Sequence, residues 1–306
     1  MYAKIALLSL VLSLFFLPTN TLPSSIDVYF CPNDDCETVF IETLLTAKKS
    51  VTCALYELKL DSIVEVFDHL SEFLPVFILI DKDEIYYNRS YIYPDKNSAL
   101  MHNKICVIDG STVITGSTNV APNDIFRNRN NLIVLFSASL SRQFETYIFE
   151  ISQRHSRQRY QSHIVDDIPI EAFFCPDDFC AKRLMALIQS AQESIYFATF
   201  SFTDVSIAKE LLLAQKRGVF VSGIYEHRMH TVHSTYQLLS YQHMNVRTDS
   251  GISTLHHKFF VIDEEIVFTG SYNPTLNGNT RNDENVLIIH DLGIARLFIN
   301  EFYSIE

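Results

Sequence analysis

Residues 102–119 read HNKICVIDGSTVITGSTN, and residues 256–273 read HHKFFVIDEEIVFTGSYN. The two stretches share His, Lys, Asp, Gly, Ser and Asn at the same internal spacing, and each shared residue recurs 154 positions later, as His102 and His256 do. Two copies with one spacing do not arise by chance, so the chain contains an internal duplication. The repeat indicates one active site assembled from two related halves, each contributing a histidine, a lysine and an asparagine.

Each stretch predicts a β-hairpin. Residues 104–108 and 258–262 are short β-rich runs that end at Asp109 and Asp263, where a turn returns the chain as a partner strand. The His and Lys then lie at one end of the hairpin, beside the Ser and Asn of the returning strand. Four polar side chains therefore surround one point, which is the arrangement that phosphate binding requires.

The spacing resembles the HxKx4Dx6GSxN signature of the phospholipase D superfamily, which both copies match at every defined position. The resemblance implies an α/β fold, with two pseudo-symmetric α-β-α sandwich halves whose mixed, largely parallel sheets pack to form one shared active site. It also implies a phosphoric diester hydrolase that works through a covalent phosphohistidine, without metal or other cofactor. The superfamily includes phospholipases, phosphatidyl transferases, cardiolipin synthases and endonucleases, so the signature indicates the chemistry but not the substrate.

The signature residues have distinct expected roles. One histidine attacks phosphorus and the other protonates the leaving alcohol, while the lysines, asparagines and serines of the motifs bind the phosphate oxygens. These residues are His102, Lys104, Ser117, Asn119, His256, Lys258, Ser271 and Asn273.

Two further residues, Asn130 and Glu284, lie eleven positions after the motif asparagines, where the family typically supports a catalytic histidine. We expect the Glu284 carboxylate to raise the pKa of His256 and the Asn130 amide to leave His102 neutral. Since the nucleophile must start neutral and the general acid protonated, His102 is the expected nucleophile. A register shifted by one residue would instead bring Asn131 or Asn285 to the histidines.

Other polar residues favour a structural interpretation. Asp109 and Asp263 lie at predicted turns, where aspartate commonly binds backbone amides, so turn stabilisation is favoured over direct catalysis. His257 should point to the opposite face of its strand from the motif residues. The histidines between positions 227 and 243 have no Cys or carboxylate at ligand spacing, so no metal site is predicted.

Four of the six cysteines form two similar units, Cys31-Pro-Asn-Asp-Asp-Cys36 and Cys175-Pro-Asp-Asp-Phe-Cys180. Their recurrence at equivalent places favours two local disulfides, Cys31–Cys36 and Cys175–Cys180, over the alternative of one four-cysteine metal site. Cys53 and Cys106 lie in apolar runs and are expected to be buried free thiols.

The repeat sets the domain boundaries. Residues 1–22 hold an apolar run that ends at Pro18, which fits a signal peptide or a short anchor better than a full membrane span. A first phospholipase D-like domain is expected over residues 26–156, a linker over 157–169 and a second domain over 170–306. Because both motifs are in one chain, a monomer is sufficient for activity.

Composition narrows the substrate. The formal net charge of −12 disfavours general nucleic-acid binding, although a local basic groove could override the total. Together with the apolar leader and the disulfides, the charge favours a secreted or membrane-associated enzyme that hydrolyses or transfers a phospholipid phosphodiester at a membrane surface. The alternatives are an endonuclease of the same superfamily and, less favoured, a non-catalytic anion-binding module.

Overall fold

The duplicated sequence folds as two similar α/β units. A computed structural model describes residues 25–153, 161–165, 167–229, 231–249, 251 and 253–306. The predicted leader, residues 1–22, lies outside the described residues, as do positions 157–160 of the predicted linker. None of the helices in the described part of the chain is long and apolar enough to cross a bilayer.

The first half alternates strands and helices before the motif hairpin. In chain order its elements are β1 (Ile26–Cys31), α1 (Cys36–Leu45), β2 (Val51–Leu55), α2 (Asp61–Ser71), β3 (Val76–Ile80), β4 (Ile92–Pro94), β5 (Lys104–Ile108), β6 (Thr112–Gly116), α3 (Pro122–Phe126), β7 (Asn130–Phe136) and α4 (Ala138–Gln153).

The second half repeats this order after one extra strand, and between its third and fourth core strands it adds a short 3₁₀ turn at His227–Met229 and one extra helix. Its elements are β8 (Gln161–Val165), β9 (Ile168–Cys175), α5 (Cys180–Ser190), β10 (Ser194–Thr199), α6 (Val205–Lys216), β11 (Phe220–Tyr225), α7 (Tyr236–Tyr241), β12 (Asn245–Thr248), β13 (Lys258–Ile262), β14 (Ile266–Gly270), α8 (Leu276–Thr280), β15 (Glu284–His290) and α9 (Leu292–Ser304).

Each half builds one mixed sheet, as the resemblance implies. The strand orders are β1-β7-β6-β5-β2-β3-β4 and β12-β11-β10-β13-β14-β15-β9-β8. Parallel pairs occur only along β2-β3-β4 and β10-β11-β12, and the other described pairs are antiparallel. Each sheet thus has fewer parallel strand pairs than predicted. Parallel neighbours need a long crossover, and the motif strands are instead joined by tight turns, which make antiparallel pairs.

The two sheets share a central apolar core. It combines side chains from both halves, including Ile105 and Phe144 from the first and Phe259 and Phe298 from the second. Helices α1 and α2 cover the outer face of the first sheet, and α5 and α6 cover that of the second. The sheets therefore face each other across α4 and α9, and the motif strands β5, β6, β13 and β14 lie in the middle of the two sheets.

Part of the predicted linker, residues 161–165, forms a strand. This strand, β8, pairs antiparallel with β9, with His163 opposite Ile170. The segment therefore extends the second sheet at its edge. A strand at the edge of a sheet pairs on one side only and can be polar. The sequence of β8 therefore lacks the apolar run by which a buried strand is predicted.

All six cysteines are paired. The predicted Cys31–Cys36 and Cys175–Cys180 disulfides are confirmed. The prediction of free thiols was wrong, because Cys53 and Cys106 form a third disulfide. These two residues lie directly opposite each other on the antiparallel strands β2 and β5, with their Cα atoms 4.1 Å apart. Such a facing pair is close enough for a bond, and the sequence alone does not give that register.

Candidate active site

The two motif hairpins have the same local geometry. Asp109 and Gly110 turn the first hairpin with φ of 55° and 63°, and Asp263 and Glu264 turn the second with φ of 52° and 56°. Two consecutive left-handed residues make the tight turn that matches the twist of antiparallel strands, and Asp and Gly tolerate that conformation well. At the opposite end of each hairpin, the motif histidine immediately precedes the strand pair.

The halves interlock at these histidines. The backbone N–H of His102 donates to the carbonyl of Asp283 at 2.8 Å, and that of His256 donates to the carbonyl of Arg129 at 2.9 Å. Each catalytic candidate is thus hydrogen-bonded to the residue that precedes the supporting position in the other half. This reciprocal exchange brings His102 and His256 to one shared site.

The support of the histidines therefore crosses between the halves. Nδ1 of His102 lies 2.7 Å from Oε2 of Glu284, and Nδ1 of His256 lies 2.8 Å from Oδ1 of Asn130. The expected pairing of Glu284 with His256 and of Asn130 with His102 was wrong, because sequence distance suggested partners within one half. The two positions themselves are the ones that the eleven-residue spacing indicated.

Asn131 and Asn285, the residues that follow the two supporting positions, lie on the other face of their strands. They form hydrogen bonds between the two halves and do not hydrogen-bond to His102 or His256. Nδ2 of Asn285 donates to Oγ1 of Thr115 at 2.8 Å. Nδ2 of Asn131 lies 3.3 Å from Nδ1 of His257. The shifted register is therefore not the one that the fold uses.

The motif serines hold the supporting residues. Ser271 Oγ donates to Glu284 at 2.7 Å, and Ser117 Oγ donates to Asn130 at 3.1 Å. The same hydroxyls accept the backbone N–H of Asn285 and Asn131. The serine hydroxyls, which were expected to donate to the phosphate, thus donate to protein groups instead. They orient Glu284 and Asn130, which contact the histidines.

Asp124 is a buried carboxylate that the sequence analysis missed. It lies 3.3 Å from Nδ1 of His256 and accepts amide hydrogen bonds from Asn119, Asn128 and Asn130. Applying the repeat offset of 154 to Asp124 gives Gly278, so the two halves differ at this position. A position-by-position comparison of the halves would have found it, because each half then carries one carboxylate at a different place.

The two motif lysines are buried beside the histidines. Lys104 and Lys258 are only 4% and 1% exposed, and each Nζ donates to the carbonyl of the histidine in its own motif at 2.7 Å. Tyr56 and Phe200 lie below them, with the ammonium groups 5.2 and 5.3 Å from the ring centroids. Their rings also contact the histidines edge-on at 5.0 and 4.9 Å.

Burial and mutual repulsion control the charges of the site. Burial, followed by Lys104 and Lys258, lowers the pKa of His102 well below its usual value. Burial also lowers the pKa of Lys104 to about 8 and that of Lys258 well below its usual value. A phosphate anion placed here would relieve the repulsion between these cations and favour their charged forms.

The two carboxylates of the site respond to burial differently. Burial raises the pKa of Glu284 to about 8, so this carboxyl holds a proton near neutral pH. Burial also acts on Asp124, but the charge of His256 and the amide donors outweigh it and lower the pKa of Asp124. Burial and Lys258 lower the pKa of His256, and Asp124 opposes them. The pKa values of both histidines thus lie well below the usual value, and His256 is the one of the two that faces an ionised carboxylate.

The signature aspartates lie at the far end of the hairpins. Asp109 accepts the backbone N–H groups of residues 48, 49 and 50, and Asp263 accepts those of residues 192, 193 and 194. Each carboxylate fixes the loop that leads into the adjacent strand. This geometry supports the structural interpretation of both residues.

The histidines outside the two motif positions have different surroundings. His257 points away from the motif residues and lies 3.0 Å from Glu301 in the interior. The expectation that His227 lacks carboxylate neighbours was wrong, because the fold gathers Glu226 and Asp249 around it within 4.8 Å. Both carboxylates accept backbone N–H groups, and Arg228 lies 3.6 Å from Glu226, so protein donors already occupy this cluster. His230 lies outside the described residues.

Two cavities flank the motifs. The first, of about 480 Å³, has His102 in its wall and is here called the His102 cavity; its apolar lining includes Leu100, Phe200, Met229 and Leu276. The second, of about 850 Å³, is here called the arginine cavity, because Arg127, Arg129 and Arg228 line it.

Comparison with known proteins agrees with the geometry. A family model described as "Cardiolipin synthase, PLD-like domain" matches residues 79–151 and 184–305, well over half of the chain. The chain belongs to the phospholipase D superfamily. The two matched segments correspond to the two halves, so this phospholipase D superfamily member carries the repeat within one polypeptide.

Curated relatives match about one half of this superfamily member. A protein named phospholipase D from Rickettsia prowazekii is 32% identical over 139 residues, which are 44% of this chain and 66% of that protein. A mitochondrial cardiolipin hydrolase from Xenopus tropicalis is 35% identical over 138 residues, with the same coverage of each chain. The chain thus spans just under two thirds of the length of these relatives.

A solved structure extends the likeness to the whole fold. The phosphatidylserine synthase of Haemophilus influenzae superimposes with a TM-score of 0.71, covering 92% of this chain and 85% of that protein, at 14% sequence identity. At that identity the likeness concerns the fold alone. It supports the architecture of two similar α/β halves in one chain.

Proposed function

We propose that this protein is a phosphodiesterase that cleaves a phospholipid through a covalent phosphohistidine, with His102 as the nucleophile and His256 as the general acid. The observation that carries the proposal is the asymmetric support of two histidines in one site. His102 faces the protonated carboxyl of Glu284, whereas His256 faces the ionised carboxylate of Asp124. This assignment agrees with the one expected from sequence, but Asp124 replaces Glu284 as its physical cause.

In the first step, Nε2 of His102 attacks phosphorus. Its electron pair forms the N–P bond as the bond from phosphorus to the leaving alcohol breaks, and His256 gives its proton to that oxygen. The phosphorylated ring of His102 is cationic, and Oε2 of Glu284 accepts the hydrogen bond from its Nδ1–H, which stabilises that charge. In the second step His256 takes a proton from water, whose oxygen displaces His102 from phosphorus.

Two lysines supply the charge that a phosphodiester requires. Lys104 and Lys258 enter from opposite motifs and can neutralise the equatorial oxygens as these gain charge in the transition state. Asn119 and Asn273 lie in the loops that follow the returning strands, and we propose that they supply amide donors. This set of groups performs the electrostatic task with protein side chains, so we propose a reaction that needs no metal.

A phospholipid substrate is favoured by the surface beside His102. Leu276, at the rim of the His102 cavity, is 72% exposed, and Leu100, Phe200 and Met229 continue this lining. An exposed apolar side chain at a substrate entrance suits an acyl chain or a lipid surface. A water molecule or a second alcohol would resolve the same phosphohistidine, which gives hydrolysis or transfer.

A nuclease is the second candidate, and the arginine cavity is the observation that favours it. Arg127, Arg129 and Arg228 form a local cationic surface in a chain of formal net charge −12. Such a surface can bind a nucleic-acid backbone despite the total charge. The net charge still opposes long-range attraction, so the lipid remains the favoured substrate.

The proposed location follows from the apolar run that ends at Pro18 and from the disulfides. We propose a secreted or membrane-associated protein, since disulfides persist in oxidising compartments. Both motifs belong to one chain, and we propose that a monomer holds the complete site.

The test compares the purified chain on phosphatidylcholine, cardiolipin and single-stranded DNA, each in EDTA. We expect lipid cleavage that EDTA does not abolish, and loss of activity in EDTA would contradict the lysine-based scheme. His102→Asn and His256→Asn should each lower kcat by about a thousandfold or more. His69→Gln, an exposed histidine on α2, is the control and should be unchanged.

The two roles are separated with a p-nitrophenyl phosphodiester, whose leaving group needs no acid. His256→Asn should still form a phosphoenzyme with phosphate on His102, and the slow second step should make it accumulate. His102→Asn should give none. Phosphate found on His256 would reverse the assignment.

A further inference from the structure

We propose that the arginine cavity is a second phosphate-binding subsite, which holds a phosphate of the substrate other than the one that is cleaved. The inference rests on the proposed function in one respect, namely that the scissile phosphodiester lies between the two motifs. It adds a substrate class, because the enzyme would prefer a molecule with two phosphates joined by a short linker.

The cavity adjoins the catalytic histidine of the second motif. Arg129 lies in its wall, and the carbonyl of Arg129 accepts the backbone N–H of His256. Asn128, also in the wall, donates to the Asp124 oxygen that lies beside His256. The arginine cavity therefore lies next to the groups that hold His256 in place.

The repeat shows that the two cavities are equivalent places in the two halves. Asn123 and Asn128 line the arginine cavity, and their counterparts 154 positions later, Asn277 and Asn282, line the His102 cavity. The asparagines are therefore common to both sides. Any difference in charge between the two cavities therefore comes from residues that differ between the two halves.

That difference is large at one position. Arg129 corresponds to Asp283, so the repeat replaces a cation with an anion. Arg228 comes from the longer segment before the second motif and lines only the arginine cavity. The arginine cavity thus carries three cationic side chains beside two acidic ones, whereas the lining of the His102 cavity holds no Asp, Glu, Lys or Arg. Such polarity would fix which end of an asymmetric phosphodiester lies on each side.

The three arginines differ in their protein partners, and Arg228 donates to the Thr254 hydroxyl and lies 3.6 Å from Glu226. Arg127 is exposed at the cavity. Arg129 donates to the hydroxyl and carbonyl of Ser304, and its distance to the Glu301 carboxylate is 3.6 Å. Asp249 and Glu306 also line the cavity, but Asp249 accepts the backbone N–H of His227. Guanidinium groups suit phosphate because they donate two parallel hydrogen bonds.

Two kinds of substrate carry such a second phosphate. In cardiolipin a glycerol joins two phosphodiesters, and in a nucleic acid successive phosphates are joined by a sugar. The shared chemistry is a second phosphate within a short linker of the first. The apolar lining opposite favours the lipid, whose acyl chains would lie on the side of Leu276.

Binding tests the subsite independently of catalysis. Calorimetry compares glycerol bisphosphate with glycerol phosphate on the full chain. We expect the bisphosphate to bind at least tenfold more tightly, and Arg127→Gln to remove most of this advantage. The matched control is Arg281→Gln, at the equivalent exposed position of the other half, which should leave the advantage unchanged. Equal affinities for the two ligands, or equal effects of the two substitutions, would overturn the proposal.

Kinetics then identify the source of the second phosphate. The ratio of kcat/KM for cardiolipin over phosphatidylglycerol should fall about tenfold in Arg127→Gln and stay constant in Arg281→Gln. A parallel pair is a dinucleotide with and without a 5′ phosphate, and an effect confined to this pair would assign the subsite to nucleic acid. If no substrate is cleaved but the bisphosphate preference persists, the proposed catalysis fails and the subsite stands.

Discussion

The Nδ1 atom of His102 lies 2.7 Å from Oε2 of Glu284, a residue that the other half of the chain supplies. The reciprocal contact joins His256 to Asn130. Each half therefore holds the support of the other half's histidine, and neither half contains a complete catalytic histidine by itself. This exchange explains in physical terms why the duplicated motifs form one site rather than two.

Glu284→Gln should stabilise the protein at alkaline pH. Burial raises the pKa of Glu284 from its ordinary value of 4.5 to about 8, so between these pH values the folded state holds a proton that the unfolded chain has lost. Stability is therefore lost as pH rises through this window. Glutamine stays neutral, so the melting temperature of the variant relative to the parent should increase from pH 5 to pH 9, as thermal unfolding would measure.

Glu301→Gln is the control with the opposite sign. The hydrogen bond from His257 and the charge of that ring outweigh burial and lower the pKa of Glu301. Its contribution to stability is present above the unfolded pKa and is lost as pH falls, so this variant should be weakened near pH 7 and less so in acid. Parallel pH profiles for the parent and Glu284→Gln would contradict a proton held on Glu284.

Asp124→Asn should slow the reaction according to the leaving group. Asp124 lies 3.3 Å from Nδ1 of His256 and favours its protonated form, so its loss removes the proton needed by a poor leaving group. We expect kcat to fall about a hundredfold for an alkyl alcohol and only slightly for p-nitrophenol. Stopped-flow measurements with both substrates provide the check. Equal losses on both would show that Asp124 supports something other than acid catalysis.

Much of this site follows from local sequence. The hairpins and their turns at Asp109 and Asp263 were predicted from spacing, because they depend on strand periodicity and short turns. Asn130 and Glu284 were predicted as supporting positions from the family resemblance. The partners of Asn130 and Glu284 were not, since they depend on how the two sheets face each other. Periodicity within one half contains no information on that packing.

Other features missed from the sequence have the same origin. Asp124 lies on a five-residue helix, and its role emerges only where that helix meets His256 from the other half. The Cys53–Cys106 bond depends on the register of β2 and β5, which are separated by a helix and two further strands. Long-range register is set by tertiary packing, so an apolar run around a cysteine indicates burial without indicating its partner.

The Cys53–Cys106 disulfide should stabilise the fold more than Cys31–Cys36 does. Their sequence separations are 53 and 5, and the loop-closure entropy removed from the unfolded chain predicts about 4 kcal/mol for the longer loop and about 2 kcal/mol for the shorter one. All four cysteines are at most 1% exposed, so replacing either pair with alanine removes similar buried volume.

The two double variants, Cys53→Ala/Cys106→Ala and Cys31→Ala/Cys36→Ala, are therefore matched controls for each other. Denaturant unfolding under oxidising conditions should give a lower midpoint for the first, and a reductant should bring the parent below both. Equal midpoints would mean that the unfolded chain already holds β2 close to β5. In that case the disulfide would add little stability, because a loop that is already closed in the unfolded chain loses little entropy on cross-linking.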